Sequence, residues 1–167
     1  MINDDEINCQ VPTTAPSGSF VNITFCEMLI KLARLSSLVA TKLSSVRAFR
    51  QRPEVMVRTV SGLDDRLLTL KSSFQHIFHI DAPIDPARLP PNLNLYQAVY
   101  LQFVYYCIVF DIHTALANPW SRAILSSESN NSVAIQSQQS SRIVAETSRA
   151  AIWATKNIHL DANTPVP

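Results

Sequence analysis

The sequence has little glycine and little charge, and both shortages narrow the fold class. Of its 167 residues only two are glycine, and 16% are charged against 47% hydrophobic. Two glycines are too few for the tight turns of a many-stranded β-fold or for a glycine-rich phosphate loop. So little charge also argues against an extended disordered chain. The ten prolines lie near the ends and in a few breaks, and the long stretches between them predict an all-α protein.

An excess of basic charge is missing as well. The 14 Lys and Arg are balanced by 13 Asp and Glu, which gives a net charge of +1. A nucleic-acid-binding domain usually carries a marked basic excess. The nearest approach to a basic patch is Arg47, Arg50, Arg52 and Arg58. We interpret them as a solvated face at helix ends, with a localisation or anion-binding patch as the alternative.

Cysteine is scarce and widely spaced. Cys9, Cys26 and Cys107 form no CxxC pair, so neither a zinc-finger framework nor a redox pair can be drawn. Cys26 and Cys107 lie in apolar stretches and are predicted to be small buried hydrophobes. The N-terminal decapeptide MINDDEINCQ is acidic and polar, unlike a signal peptide, and an intracellular protein is therefore the default expectation.

The spacing of apolar residues predicts two long helices in the first half of the chain. The first runs from about Thr24 to Arg50 and opens with the capping-box spacing of Thr24 and Glu27. Pro53 suits the first turn of the second helix. Gly62 lies inside this second helix and could bend or restart it. The proline-rich segment 81–91 that follows is a predicted loop.

A third helix is predicted from about Leu93 to Asn118. Its segment 98–117 is apolar and long enough to span a membrane. Gln102, Asp111 and His113 interrupt that segment, however, and polar residues of this kind are costly inside a bilayer. The sequence therefore predicts a buried core helix.

The remaining segment completes a predicted all-α, irregular bundle of about five helices. Pro119 starts a short fourth helix, residues 126–132 form a polar loop, and a last helix runs from Val133 or Gln136 to Ile158. We divide the chain into an extended polar lead-in (1–19), a helical domain (20–160) and a tail (161–167). The start in an acidic segment and the uncapped stop at Pro167 lead us to expect part of a larger helical domain.

Two pairs of polar residues have a spacing that could bind metal. His76 and His79 stand at i,i+3, as a zinc or iron site would need, but no third strong ligand stands at a recognised distance. We interpret them as exposed histidines at a helix C-terminus. Asp64 and Asp65 could suggest a magnesium site, yet adjacent residues point apart on a helix. We predict no metal site and no cofactor.

The polar residues of the third helix are the other candidates. His113 could act as an acid or base oriented by Asp111, but residues at i,i+2 do not face each other on a helix. A structural hydrogen bond of His113 near the turn before Trp120 is the favoured interpretation. Four tyrosines of the same helix could line a ligand cavity or lie in the core with their hydroxyls at its rim: Tyr96, Tyr100, Tyr105 and Tyr106. No catalytic motif is evident, and we predict that the chain is not an enzyme.

Five segments, in this order along the chain, resemble the regulatory middle region of the fungal-specific transcription factor family, whose members carry an N-terminal six-cysteine zinc cluster. The segments are the acidic stretch 2–12 ending in Pro12; Leu67, Leu70 and Phe74, with Phe74 where tryptophan is usual; LPPNL (89–93), further downstream than in the family; IHTALANPW (112–120), a variant of the helix end that lacks arginine; and the closing helix 142–158 with its paired alanines.

The resemblance implies an all-α fold, nuclear residence and control of transcription. It also implies that this region tunes the activity of a longer factor through protein partners or a small effector, with DNA contacted only indirectly. The family's zinc belongs to a cysteine cluster that this sequence lacks, so no zinc or DNA contact carries over to any residue. Tyr105, Asp111, His113 and Trp120 are our candidate contacts for an effector or partner, and a homodimer is a further expectation.

Two other hypotheses stay open. One is a small helical enzyme or ligand carrier that uses the polar residues of the third helix, with His113 facing a closed pocket. The other is a single-span membrane protein, which we disfavour for the reasons given above.

Overall fold

The computed structural model describes residues 13–19, 21–46, 48–117 and 131–158, and all regular structure within these ranges is helical. Four α-helices are present there, α1 (Ile23–Leu43), α2 (Pro53–Phe74), α3 (Leu95–Ala117) and α4 (Asn131–Ala154), together with 3₁₀ turns at Ala48–Arg50, Pro86–Arg88 and Thr155–Asn157. The all-α prediction is confirmed. The predicted short fourth helix, which starts at Pro119, lies outside the described residues.

Helix α3 is the central element of the bundle. It packs against α1, α2 and α4, and its fully buried residues include Leu101, Ile108 and Ile112. By length and composition alone α3 could cross a membrane, but 56% of its most apolar window is buried against the rest of the protein. A helix that is apolar on nearly every side is what the middle of such a bundle requires, as the sequence predicted.

The N-terminus of α1 differs from the predicted capping box. The N-cap is Asn22, whose Oδ1 accepts a hydrogen bond of 3.0 Å from the Phe25 amide. Thr24 lies inside the first turn and accepts from the Asn92 side chain, while Glu27 pairs with Lys31 one turn later at 2.7 Å. Asparagine caps a helix at least as well as threonine, so the earlier residue takes the position and α1 begins at Ile23.

The C-terminus of α1 comes earlier than predicted, at Leu43 instead of near Arg50. The hydroxyl of Ser45 accepts a hydrogen bond from the Ala48 amide at 3.2 Å. Serine bonds of this local kind compete with the helical ladder, and here they lead into a 3₁₀ turn. As a result Val46, which stands at helical spacing with the apolar residues of α1 and would lie on its buried face if the helix ran to Arg50, is 72% exposed.

Helix α2 is continuous through Gly62. Pro53 stands in its first turn, as predicted. Gly62 has no positive φ, and a Cβ built on it meets nothing within 4 Å. The expectation that Gly62 restarts the helix is therefore wrong, because nothing at this exposed position demands a backbone that only glycine can adopt.

A reciprocal capping box fixes the start of α3. Asn94 Oδ1 accepts from the Gln97 amide at 2.8 Å, and Gln97 Oε1 accepts from the Asn94 amide at 3.3 Å. This pattern places the first helical residue at Leu95, two positions after the predicted start. Leu93 still enters the core, at 3% exposure.

Helix α4 also has corrected bounds. It begins at Asn131, before the predicted Val133, and ends at Ala154, followed by a 3₁₀ turn up to Asn157. Its dominant contact is with α3.

The two described cysteines were predicted to be buried. Cys107 on α3 is exposed, so that prediction is wrong, while Cys26 on α1 is half-buried.

Candidate functional site

His113 forms the polar contact at the centre of the bundle. The side chain is 1% exposed. Its Nδ1 lies 3.1 Å from Ser140 Oγ of α4, and its Nε2 lies 3.4 Å from Asp64 Oδ1 of α2. The second distance is longer than an ordinary hydrogen bond, so Asp64 lies beside the imidazole, and Nε2 has no hydrogen-bond partner among the described residues. We call this contact between three helices the His113 joint.

Asp111 takes no part in the His113 joint. It is exposed, whereas His113 is buried, which agrees with the rule that i,i+2 residues of a helix do not face each other. Partial withdrawal from water raises the pKa of the Asp111 carboxyl. The carboxylate beside the imidazole is instead Asp64, from a different helix, which agrees with the argument from the sequence against an Asp111–His113 pair.

A second polar tie joins α3 and α4 close to the His113 joint. The buried Ser137 hydroxyl donates to the Leu116 carbonyl at 2.9 Å. Leu116 lies in the last turn of α3, where carbonyls have no partner inside the helix. The two buried serines of α4 therefore both form hydrogen bonds to α3, Ser137 to Leu116 and Ser140 to His113.

A half-open groove lies between the segment 81–84, α3 and the end of α4. Its volume is about 430 Å³, within the range of small-molecule sites. Pro83, Ile84, Ala150 and Ala154 provide apolar walls. The polar lining comes from two parts of the chain: the segment 81–84 and α3 contribute Asp81, Gln102 and Tyr106, and the end of α4 with the turn after it contributes Arg149, Lys156 and Asn157.

Gln102 holds the segment beside the groove in place. Its side chain is 1% exposed, and its Nε2 donates to the carbonyls of Ile80 at 3.1 Å and Ala82 at 2.7 Å. These two bonds fix the orientation of the amide. Among the described residues the Gln102 Oε1 has no hydrogen-bond partner, and a buried acceptor in that condition costs about 1–3 kcal/mol.

Two tyrosines of α3 lie at or next to the groove. Tyr106 lines it, and Tyr105 packs against the Tyr106 ring with the ring centroids 5.9 Å apart. Burial, and secondarily the negative charge of Asp81, raise the pKa of both phenols above the usual range. Asp81 itself pairs with Lys71 at 3.0 Å. The lining from the segment 81–84 and α3 therefore contains the Asp81 carboxylate and an uncharged phenol at Tyr106.

The lining contributed by α4 and the turn after it carries two basic residues. Arg149 lies in α4, and Lys156 lies in the 3₁₀ turn that follows. The Lys156 Nζ lies 3.3 Å from the centroid of the Trp153 ring, a cation–π contact. Trp153 is 63% exposed, so this aromatic ring stands at the mouth of the groove instead of in the core.

The remaining sequence candidates are not brought together. His76 and His79 are both exposed, and no three metal-ligating side chains converge within the described ranges. Asp65 is exposed, apart from Asp64. Tyr96 and Tyr100 are 61% and 53% exposed. Trp120 lies outside the described residues.

Comparison of this chain with protein-family models, curated proteins and solved structures finds no match. Two arrangements, the His113 joint and the groove, therefore indicate what this chain can do chemically. The His113 joint connects helices and lies in the core, while the groove is open and presents groups of opposite polarity. Sequence reasoning noted Gln102 only as an interruption of an apolar run and did not single out Arg149 as a groove residue, because the groove forms from segments far apart in the chain.

Proposed function

We propose that this chain is a regulatory and interaction region of a fungal-type transcription factor. It modulates transcription through contacts of its helix faces with partners or an effector, and it carries out no catalysis. It has no DNA-reading role of its own, and it resides in the nucleus. The proposal combines the ordered segments that resemble the family with one structural observation, the His113 joint.

The His113 joint supports a regulatory role because it couples three helices through one side chain. A buried polar contact is costly when a partner is removed and favourable when every partner is in place. A shift of α4 against α3 would therefore move the His113 imidazole relative to Asp64 on α2. An element with discrete packing arrangements is what a partner or effector needs in order to change the activity of an attached factor.

A reporter assay tests this proposal directly. The full chain is inserted between a heterologous DNA-binding module and an activation segment in yeast. We expect the insert to lower reporter output by about fivefold, the lower end of typical allosteric coupling. The variant His113→Ala, which removes the joint, is expected to restore most of the output at equal protein level.

The control is His79→Ala, which removes an exposed histidine and should behave as the unchanged chain. A fluorescent fusion should accumulate in the nucleus. Equal reporter output with and without the insert would refute regulation by this chain, and a fusion confined to the cytoplasm would refute nuclear action.

A second function is favoured by the groove. Two polar residues of α3, Gln102 and Tyr106, line a cavity that is large enough for a small molecule. A ligand-binding role does not require attachment to a transcription factor, so it is open to a separate test.

A further inference from the structure

We propose that the groove between the segment 81–84, α3 and the end of α4 binds a small amphiphilic anion: a compact apolar body that carries one carboxylate. The carboxylate binds at Arg149, and the body lies against the apolar lining. This inference rests on the ligand-binding role of the groove, the second function proposed above, and it does not require attachment to a transcription factor.

The charged lining of the groove favours an anion. Arg149 and Lys156 line it and supply two positive charges. Asp81 is the one carboxylate that the described residues contribute to the lining, and its Oδ2 lies 3.0 Å from the Nζ of Lys71. Because that ion pair offsets the charge of Asp81, the groove presents a net positive charge. It therefore attracts a negative ligand and repels a cationic one.

The Arg149 guanidinium is open to a ligand. Within the described ranges no carboxylate lies at ion-pairing distance from it, whereas Arg142 on the same helix pairs with Glu146 at 2.7 Å. Arg149 is exposed as well as part of the groove lining, so a carboxylate reaches it from solvent without breaking an existing pair. The planar fork of arginine suits bidentate recognition of a carboxylate.

An exposed aromatic ring lies next to these positive charges. Arg149 and Trp153 stand one turn apart on α4, at i,i+4, and residues with this spacing share a face of a helix. The Lys156 Nζ lies 3.3 Å from the centroid of the Trp153 ring. All three residues line the groove, so α4 and the turn after it combine positive charge with apolar surface. A ligand that joins an anionic group to an apolar body matches this combination.

The remaining lining sets the body of the ligand. Pro83 and Ile84 contribute apolar surface from the segment after α2, and Ala150 and Ala154 contribute it from α4. A volume of about 430 Å³ accommodates a small molecule. Burial of hydrocarbon against these residues adds the non-directional part of the affinity. A small inorganic anion would leave this apolar surface in water, which is why an amphiphilic anion fits better.

The test uses three probes with one phenylpropane skeleton and different end groups: phenylpropanoate, phenylpropanol and phenylpropylammonium. The full chain, labelled with ¹⁵N, is titrated with each probe and followed by amide chemical shifts. We expect phenylpropanoate to bind with a Kd on the order of 1 mM. Phenylpropanol should bind about fivefold more weakly, since it lacks the ion pair at this half-open site. Phenylpropylammonium should bind more weakly still, because the lining repels it, and added salt should reduce the difference between the probes.

Variants locate the site. Arg149→Gln should weaken phenylpropanoate by about fivefold and leave phenylpropanol unchanged, because only the ion pair is lost. The matched control is Arg142→Gln, the same change at an exposed arginine outside the groove lining. Ala150→Leu fills part of the groove and should weaken all three probes by similar factors, with Ala145→Leu at an exposed position of the same helix as its control. Circular dichroism confirms that each variant is folded as the unchanged chain.

Two results would overturn the preference for an anion: equal affinity for phenylpropanoate and phenylpropanol, or equal effects of Arg149→Gln and Arg142→Gln. If Ala150→Leu still weakens binding in that case, the groove is a ligand site of another chemistry. The absence of shifts in the groove with every probe at about 20 mM, well above the expected Kd, would overturn the ligand-binding role as well. The reporter experiment is independent of all these outcomes.

Discussion

At the scale of single residues, His113 shows how a polar side chain can be accommodated inside an apolar helix. The imidazole finds Ser140 on α4 and Asp64 on α2, and both partners lie far from it in sequence, Ser140 by 27 positions. The sequence predicted that His113 makes a structural hydrogen bond. It placed that bond near the turn after α3 instead of at the helix interface, because spacing along one helix carries no information about neighbouring helices.

Removal of the imidazole should destabilise the bundle. His113→Ala leaves a cavity and an unpaired Ser140 hydroxyl, and we expect the free energy of unfolding to fall by about 2–4 kcal/mol in urea titrations. Ser140→Ala alone should cost about 1 kcal/mol. In the double variant the two effects should fall short of additivity by about 1 kcal/mol. His79→Ala, at an exposed position, serves as the control, and strict additivity would mean that the hydrogen bond contributes nothing.

Tyr105 and Tyr106 predict how stability depends on alkaline pH. Burial raises the pKa of both phenols in the folded state, so the unfolded chain releases these protons first. Their contribution to stability is therefore complete below the unfolded pKa of about 10 and is lost as the pH rises through the folded values. Urea unfolding at increasing pH should show this loss, and Tyr105→Phe with Tyr106→Phe should reduce it. An unchanged slope in the double variant would contradict the assignment.

At the scale of elements, helix type and order were predictable, while helix ends were decided by competition between local hydrogen bonds. The apolar spacing of 3.6 residues places α1, α2, α3 and α4 in the sequence. At the start of α1, however, Asn22 and Thr24 are both good caps, and the contacts of Asn22 with Asn92 and Gln97 favour the earlier one. Those contacts come from a segment distant in sequence, which is why spacing alone selected Thr24.

The cap of α1 gives a direct comparison. Asn22→Ala removes the acceptor for the Phe25 amide and should lower the free energy of unfolding by about 1–2 kcal/mol. Thr24→Ala, which leaves that cap intact, should cost less. The ranking is measured by thermal unfolding followed by circular dichroism. A larger loss of stability for Thr24→Ala than for Asn22→Ala would instead support the capping box of Thr24 and Glu27 as the start of α1.

Gly62 offers a stabilising substitution. It lies exposed in the continuous helix α2, with open space where a Cβ would stand. Gly62→Ala should therefore raise the free energy of unfolding by about 0.5–1 kcal/mol through the reduced entropy of the unfolded chain. Gly18 has a φ of 79°, so Gly18→Ala should bring no such gain. A lower melting temperature for Gly62→Ala would show that α2 needs glycine at this position.

At the scale of the whole molecule, the groove shows what sequence analysis could not reach. Asp81, Gln102 and Tyr106 line it from the segment after α2 and from α3, and Arg149 and Lys156 line it from α4 and the turn after it. Composition identified none of these residues, because Arg149 is one of 14 basic residues and Gln102 is an ordinary amide until its neighbours leave Oε1 unpaired. Only the packing of α4 on α3 brings these groups to one cavity.

The same packing yields a prediction for membrane association. By its hydropathy α3 could span a bilayer, but insertion would strip away α1, α2 and α4. It would leave Gln102 and His113 in hydrocarbon without the backbone carbonyls, Ser140 and Asp64 that now contact them. Unpaired polar groups in that environment cost several kcal/mol each, whereas the bundle supplies hydrogen-bond partners for Gln102 Nε2 and His113 Nδ1. We therefore expect the full chain to be released into the supernatant when membranes of expressing cells are washed with alkaline carbonate, together with a soluble marker and apart from an integral membrane control. Retention in the pellet in the absence of aggregation would mean that α3 leaves the bundle for the bilayer, and the central position assigned to it here would then be wrong.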